Sequence, residues 1–282
     1  MSLQPHVANP LVLTKSISLC VKAAIKNAML AAGWSWRHWD RVHAYVPRPD
    51  SDRLTPQQVA DITLYSINFF ERVKTDLEER SVDQRLNTCE YQAIPLVRHV
   101  LDTARLTGRV LNIGCGFPLI ECAEAAKNSD SFWINLDFVP DLADRCAAIA
   151  RPNTRFVSGY PLDWIERTDE KMFDVALFNR VAVLLTPGEL RSYLKALARV
   201  ARHVVLCEPA CINRYPRPVN VDTIPSERPL PLYGTMHVHN YRSLLAEAGF
   251  DLLHYTAAPT PIEWHGEEHH LIQAIARNTS HA

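Results

Sequence analysis

The sequence predicts an α/β protein in which a doubly wound, mostly parallel sheet follows an N-terminal helical cap. Three observations carry this expectation. At Arg109 to Asn128 an apolar strand runs into a glycine turn and then directly into an Ala-rich helix. FDVALFN, residues 173–179, is the continuous apolar run of a strand covered on both faces. The first hundred residues instead carry helical spacing and helix-start signals. With 282 residues and 47% hydrophobic content the chain can bury one large core plus an appendage, and a net charge of -1 provides no global field for nucleic acid.

Residues 1–39 contain no Asp or Glu, and Lys15, Lys22 and Lys26 share a helical face while Ile17, Val21, Ala24 and Ala28 fall largely on another. The expectation is a basic amphipathic helix docked on its own domain or on a twin subunit. The lysines interrupt any signal-peptide core, and the segment lacks the arginine richness of a transit sequence. Trp34, Trp36, Trp39 and Tyr45 come next and are expected to anchor a helical layer, before a Pro- and Asp-rich loop at residues 47–52. Thr55-Pro56-Gln57-Gln58 has the form of a capping box with proline at the first helical position, opening a helix toward Glu79. A second helix is expected over residues 88–106, with Tyr91, Ile94, Val97, Val100 and Leu101 as its buried stripe.

In RVLNIGCGFPLIECAEAAKN the strand residues Val110, Leu111 and Ile113 precede Gly114, Cys115 and Gly116. Glycine suits such a turn because a side chain would oppose positive φ and hold backbone N–H groups away from a ligand. Pro118 suits the first turn of the helix that follows. SFWINLD, residues 131–137, then reads as a strand ending in Asp137, roughly twenty residues past the glycines, where a carboxylate takes ribose hydroxyls. A third strand is expected at residues 154–157, followed by Gly159, Tyr160 and Asp163. Asn179 and Arg180 close the fourth strand at its carboxyl end, the edge where open sheets bind ligands. Thr186-Pro187-Gly188-Glu189 repeats the capping box and opens a helix to Val200. Residues 203–209 (HVVLCEP) form a fifth strand, and Asn240 and Gly249 bound a late helix.

The glycine run resembles motif I of the class I S-adenosylmethionine (SAM) dependent methyltransferases, with Asn112 at the usual acidic position and Pro118 at the last glycine. HNYRSLLAEAGFDLLHYTAA and HHLIQAIAR are similar to the family's late helix, its AGF turn and its last two strands. The resemblance spans about residues 109–277. It implies a seven-stranded Rossmann-like sheet whose final strand runs antiparallel between strands five and six, SAM as cofactor, and cofactor contacts from Gly114, Cys115, Gly116, Asp137, Phe138, Gly159, Tyr160 and Asn179. It also implies a helical cap folded over the site, with Tyr91 or Arg98 either reaching toward the methionine carboxylate or serving ordinary packing and surface roles. In the family an Asp after the third strand meets the adenine amino group; here Tyr160 stands in its place, and Asp163, Tyr160 and nearby backbone are alternatives.

The expected division is 1–106 as helical cap and 107–282 as the SAM-binding domain, with residues 209–238 an acceptor lid rich in proline and carrying Arg214, Arg217 and Arg228. The expected reaction is metal-independent methyl transfer to a small molecule, and those arginines either suit an anionic acceptor or are solvated surface charges. Aminocarboxypropyl transfer from SAM, as in nicotianamine-synthase-like enzymes, and a non-catalytic SAM-binding subunit are the alternatives; an NAD-dependent dehydrogenase fits poorly. Candidate bases are Glu208, Tyr233 and His237. FNRV at residues 178–181 lacks the metal-binding Asp of catechol-type enzymes. His265, His269 and His270 are not joined by Cys or Asp at motif spacing. Seven scattered cysteines without CxxC pairs suit a reducing, cytoplasmic setting. A homodimer is the expected assembly, with neither nucleic acid nor membrane as partner.

Overall fold

The computed structural model describes residues 34–36, 45–47, 50–78, 92–106, 108–168, 173–210, 220–231, 237–264 and 267–281. Tyr91, Tyr233, Arg214, Arg217 and the basic N-terminal segment lie outside them. The chain begins with a short antiparallel hairpin, β1 (Trp34–Trp36) and β2 (Tyr45–Pro47), in which Trp36 stands opposite Tyr45. This corrects the expectation of a helical layer here. Trp-Ser-Trp and Tyr-Val-Pro place aromatic and β-branched residues in alternation, which favours extended backbone.

Two helices follow, α1 (Pro56–Glu78) and α2 (Ala93–Ala104). The predicted capping box opens α1: the Gln58 N–H donates to Thr55 Oγ1, and the Thr55 N–H to Gln58 Oε1. The sheet units are β3 (Arg109–Ile113), α3 (Leu119–Lys127), β4 (Phe132–Asp137), a single helical turn α4 (Leu142–Arg145), β5 (Thr154–Ser158) and α5 (Pro161–Arg167). Then come β6 (Phe173–Asn179), α6 (Pro187–Val200) and β7 (Ala201–Ala210). A two-residue ladder, β8 (Leu230–Pro231) and β9 (His237–Val238), leads to α7 (Tyr241–Glu247) and the long hairpin β10 (Phe250–Trp264) and β11 (Glu267–Asn278).

Seven strands form one sheet in the order β10-β11-β7-β6-β3-β4-β5. The five from β3 to β7 are parallel, and β11 lies antiparallel between β7 and β10 as the resemblance implied. Side chains alternate cleanly between faces. Val110, Trp133, Val175, Leu177 and Val205 pack with α1 to α4, while Leu111, Ile113, Ile134, Leu136, Phe178 and Leu206 pack with α5 to α7. Such two-sided burial explains the near-continuous apolar runs. Strand order reverses between β3 and β6, so the crevice beyond their carboxyl ends is the topological switch point where an open α/β sheet takes its ligand.

A candidate nucleotide and methyl-donor site

The glycine turn connects β3 to α3. Gly114 has φ +64, and a methyl group on its Cα would lie 2.6 Å from Val181 Cγ2, so both backbone conformation and space require glycine there. Cys115 N–H donates to the Leu136 carbonyl at 3.0 Å, which ties the turn to β4. Pro118 precedes the first helical residue, in the cap position, one place earlier than expected.

Asp137, at the carboxyl end of β4, accepts the Gly116 N–H at 2.8 Å through Oδ2 and the Val139 N–H at 3.1 Å through Oδ1. Burial pushes its carboxyl up to about 6 against the pull of those N–H bonds. Because an ionised carboxylate has about four acceptor sites, two N–H bonds leave capacity for a diol. Phe138 stacks on Tyr160, ring centroids 5.5 Å apart at 22°, which lines the crevice with aromatic faces beside the carboxylate. Gly159, with φ +120, donates its N–H to the Asp137 carbonyl at 2.8 Å. A carboxylate for a diol and flat apolar faces for a purine fit the adenosine portion of SAM.

Asp163 and Tyr160, two of the alternatives for the adenine ring, have partners in the segment before α1. Asp163 is paired with Arg53, which also reaches Glu166, so its carboxylate is committed to the segment that leads into α1. Tyr160 stays protonated, its hydroxyl pushed up to about 12 by burial, and accepts the Leu54 N–H at 3.4 Å. Arg98 pairs with Glu124, the ordinary surface role that is one of its two expected readings. Helix α1 meets the glycine turn: Phe70 packs edge-on against Phe117, and Phe69 approaches within 3.6 Å of where a Gly116 methyl would stand.

Asn112, at the motif's acidic position, is buried and donates to Asn135 Oδ1 at 3.0 Å. Its neighbouring carboxylate is Glu121, from the first turn of α3. Burial pushes Glu121 up to about 7, opposed by the Arg180 charge and a hydrogen bond from Asn112. Sequence reading missed Glu121 because an acid in a first helical turn looks like a macrodipole partner. Asn179 and Arg180 do lie at the end of β6, and Arg180 adopts φ +60 with its N–H on the Cys207 carbonyl at 2.9 Å.

Glu208 requires a correction. Its carboxylate is fully buried and accepts three N–H groups, from Val181 and Ala182 on Oε1 (3.2 and 3.0 Å) and from Val183 on Oε2 (3.2 Å). A group so enclosed is not placed to take a proton from a substrate. His237 is half-buried, 5.9 Å from the ring of His239. His239 is itself buried, its Nε2–H donating to the Leu185 carbonyl at 3.0 Å, and burial drives it down to about 3, so it stays neutral. In the described part of the 209–238 connection, Val221 and Ile224 are buried, and Asn240 Nδ2 donates to the carbonyls of Asp222 and Ile224, which fastens this stretch to the start of α7. Arg228 is exposed.

No protein-family model and no curated protein matches the sequence. Among solved structures, the chain is similar to the 1,6-didemethyltoxoflavin-N1-methyltransferase of Burkholderia thailandensis, crystallised with 1,6-didemethyltoxoflavin and S-adenosylhomocysteine (SAH). The TM-score is 0.54 at 17% identity, covering 87% of this chain and 100% of that one. It is also similar to magnesium protoporphyrin IX methyltransferase (ChlM) of Synechocystis PCC 6803 with bound SAM, at TM-score 0.52 and 13% identity, covering 81% of this chain and 100% of that one. The fold is that of the class I, Rossmann-like SAM-dependent methyltransferases. Among the described residues no helix is long and apolar enough to cross a membrane.

Proposed function

We propose that this protein is a metal-independent, SAM-dependent methyltransferase of a small-molecule acceptor. The observation that carries the reading is the placement of Asp137: its carboxylate joins the glycine turn to the aromatic pair Phe138 and Tyr160 at the switch point of the sheet. Gly114, Cys115, Gly116, Gly159 and Asn179 complete the cofactor site in this reading. When bound, SAM supplies a methyl group on a sulfonium, which is already an excellent leaving group. The residues therefore have to align the acceptor and exclude water, and a base is needed only where the acceptor must lose a proton. Phe69 and Phe117 provide an apolar cover over the turn. His237, on β9 within the 209–238 connection, is the described candidate for the base, with Tyr233 the second. Residues 1–106 act as the cap and 209–238 as the acceptor lid, and its arginines suit a carboxylate or phosphate on the acceptor. The free cysteines Cys115, Cys122, Cys146 and Cys207 support a reducing, cytoplasmic setting, and a homodimer remains the proposed assembly.

Calorimetry is the direct test. SAM and SAH should bind, and NAD much more weakly; NAD binding tighter than SAM would overturn the reading. Once an acceptor is found, SAH as product marks methyl transfer, whereas methylthioadenosine would mark aminocarboxypropyl transfer. His237→Ala should then lower kcat while leaving SAH affinity within about twofold of wild type, since the adenosine contacts come from β3, β4 and β5.

A further inference from the structure

A buried carboxylate that accepts three consecutive backbone N–H groups is a clamp on the segment that supplies them. In this protein the segment is the turn Val181 to Val183, which continues directly from Asn179 and Arg180 at the carboxyl end of β6. Val181 does more than donate to Glu208. Its two methyl carbons occupy the space over Gly114, 2.6 and 2.9 Å from where a side chain on that residue would begin. The clamp is thus mechanically connected to the glycine turn through one side chain. A second tie holds the far end of the same turn, where His239 Nε2–H donates to the Leu185 carbonyl.

We propose that Glu208 is a positioning residue for cofactor binding: by holding the N–H groups of residues 181–183 it presses Val181 onto Gly114 and so sets the wall of the nucleotide crevice. This rests on the SAM reading of that crevice. It assigns Glu208 a function distinct from proton transfer. The ionised form holds the three N–H groups most strongly, because protonation leaves one oxygen as an O–H, a donor and a much weaker acceptor. Burial pushes Glu208 up to about 7, opposed by these N–H bonds and by Arg180; the Tyr241 hydroxyl from α7 is the other titratable group near it, itself raised far out of range. Crevice shape should therefore respond to pH near neutrality.

The test is SAH affinity by calorimetry on the full chain at about pH 6 and about pH 8, for wild type, Glu208→Gln and Val181→Ala, with melting temperatures in parallel. Wild type should bind several-fold more tightly at the higher pH. Asp137 and Glu121 contribute their own steps, since both carboxyls also titrate at the crevice and Glu121 shares the Arg180 charge with Glu208, so the difference between variants carries the inference. Glu208→Gln should weaken SAH about five- to tenfold at the higher pH and show a smaller pH step than wild type, because an amide offers one acceptor oxygen where the carboxylate offers two and no longer titrates. Val181→Ala should weaken SAH at both pH values and keep the step, and it remains informative if Glu208→Gln fails to fold. Glu208→Gln that melts earlier but binds SAH with the wild-type pH profile overturns the proposal, as does Val181→Ala with wild-type affinity. Wild-type protein that binds no SAH at either pH overturns the cofactor reading itself, and this proposal with it.

Discussion

Asp137 connects three parts of the site through one carboxylate and one carbonyl: Gly116 in the glycine turn, Val139 after β4, and Gly159 after β5. Replacing it by Ala leaves the Gly116 and Val139 N–H groups without their acceptor and removes the proposed diol contact. We expect about 1–3 kcal/mol lower stability and SAM affinity reduced about 10- to 100-fold. Denaturant unfolding checks the first and calorimetry the second; unchanged SAM affinity would remove Asp137 from the cofactor site. Asp137 was legible in the sequence because its distance from the glycines is fixed by one helix and one strand. Glu121 was not. Its partners Asn112 and Arg180 stand on β3 and just beyond β6, and only the folded sheet brings them together. The same holds for Glu208, where the sequence shows an acid at a strand end but not the three N–H groups that enclose it.

Among the elements, α6 shows how local and long-range signals combine at a helix start. Thr186 and Glu189 form the reciprocal capping box read from the sequence, and Asp50 Oδ1 adds a third acceptor, taking the Gly188 N–H at 2.7 Å. Thr186 Oγ1 also donates to the Ser51 carbonyl at 3.1 Å, so the start of α6 is where residues 50–51 dock. A side chain on Gly188 would meet Ser51 backbone at 2.9 Å, which is why this approach needs glycine. Thr186→Ala should cost about 1 kcal/mol for the lost cap, and the Asp50→Ala, Thr186→Ala pair should lose more than the sum of the singles because both side chains hold the same junction. Thermal melts of the three variants measure that coupling; strict additivity would show the two contacts to be independent. α6 and α7 were readable almost to the residue because Pro, Gly and capping side chains punctuate them, and β6 because its continuous apolar run stands between charged flanks. The hairpin of β1 and β2 was not, since three-residue strands are too short for their alternation to outweigh an aromatic cluster's usual place on a helix.

At the scale of the whole molecule, the carboxyl ends of the strands concentrate buried ionisable groups of opposing tendency, and this predicts how stability responds to pH. Burial raises Glu121 and Glu208 from the ordinary 4.5 to about 7 and Asp137 from 3.8 to about 6. Between the ordinary and raised values the folded protein holds protons that the unfolded chain has released, so these three groups make stability fall as pH rises through that window. His239 acts in the other direction. Lowered by burial from 6.5 to about 3, it is neutral in the folded protein while the unfolded chain takes up a proton, so below about pH 6.5 it makes stability fall as pH drops. His203, also lowered by burial, adds to that effect more weakly. Above about pH 6.5 the opposing contribution of the histidines fades while Glu121 and Glu208 still hold protons in the folded protein, so between about pH 6.5 and about pH 7.5 the ligand-free protein should lose stability with a negative slope. Glu121→Gln should remove up to one proton from that linkage, flattening the slope by as much as about 1.4 kcal/mol per pH unit. Unfolding free energies from urea titrations across this range decide the matter: a variant whose slope equals that of wild type would mean that Glu121 is already ionised in the folded protein. Saturating SAM should oppose the same loss, because its cationic sulfonium stabilises ionised carboxylates in the crevice; neutral-sulfur SAH should do so less. Equal protection by both ligands would place the buried acids beyond the electrostatic reach of the sulfonium.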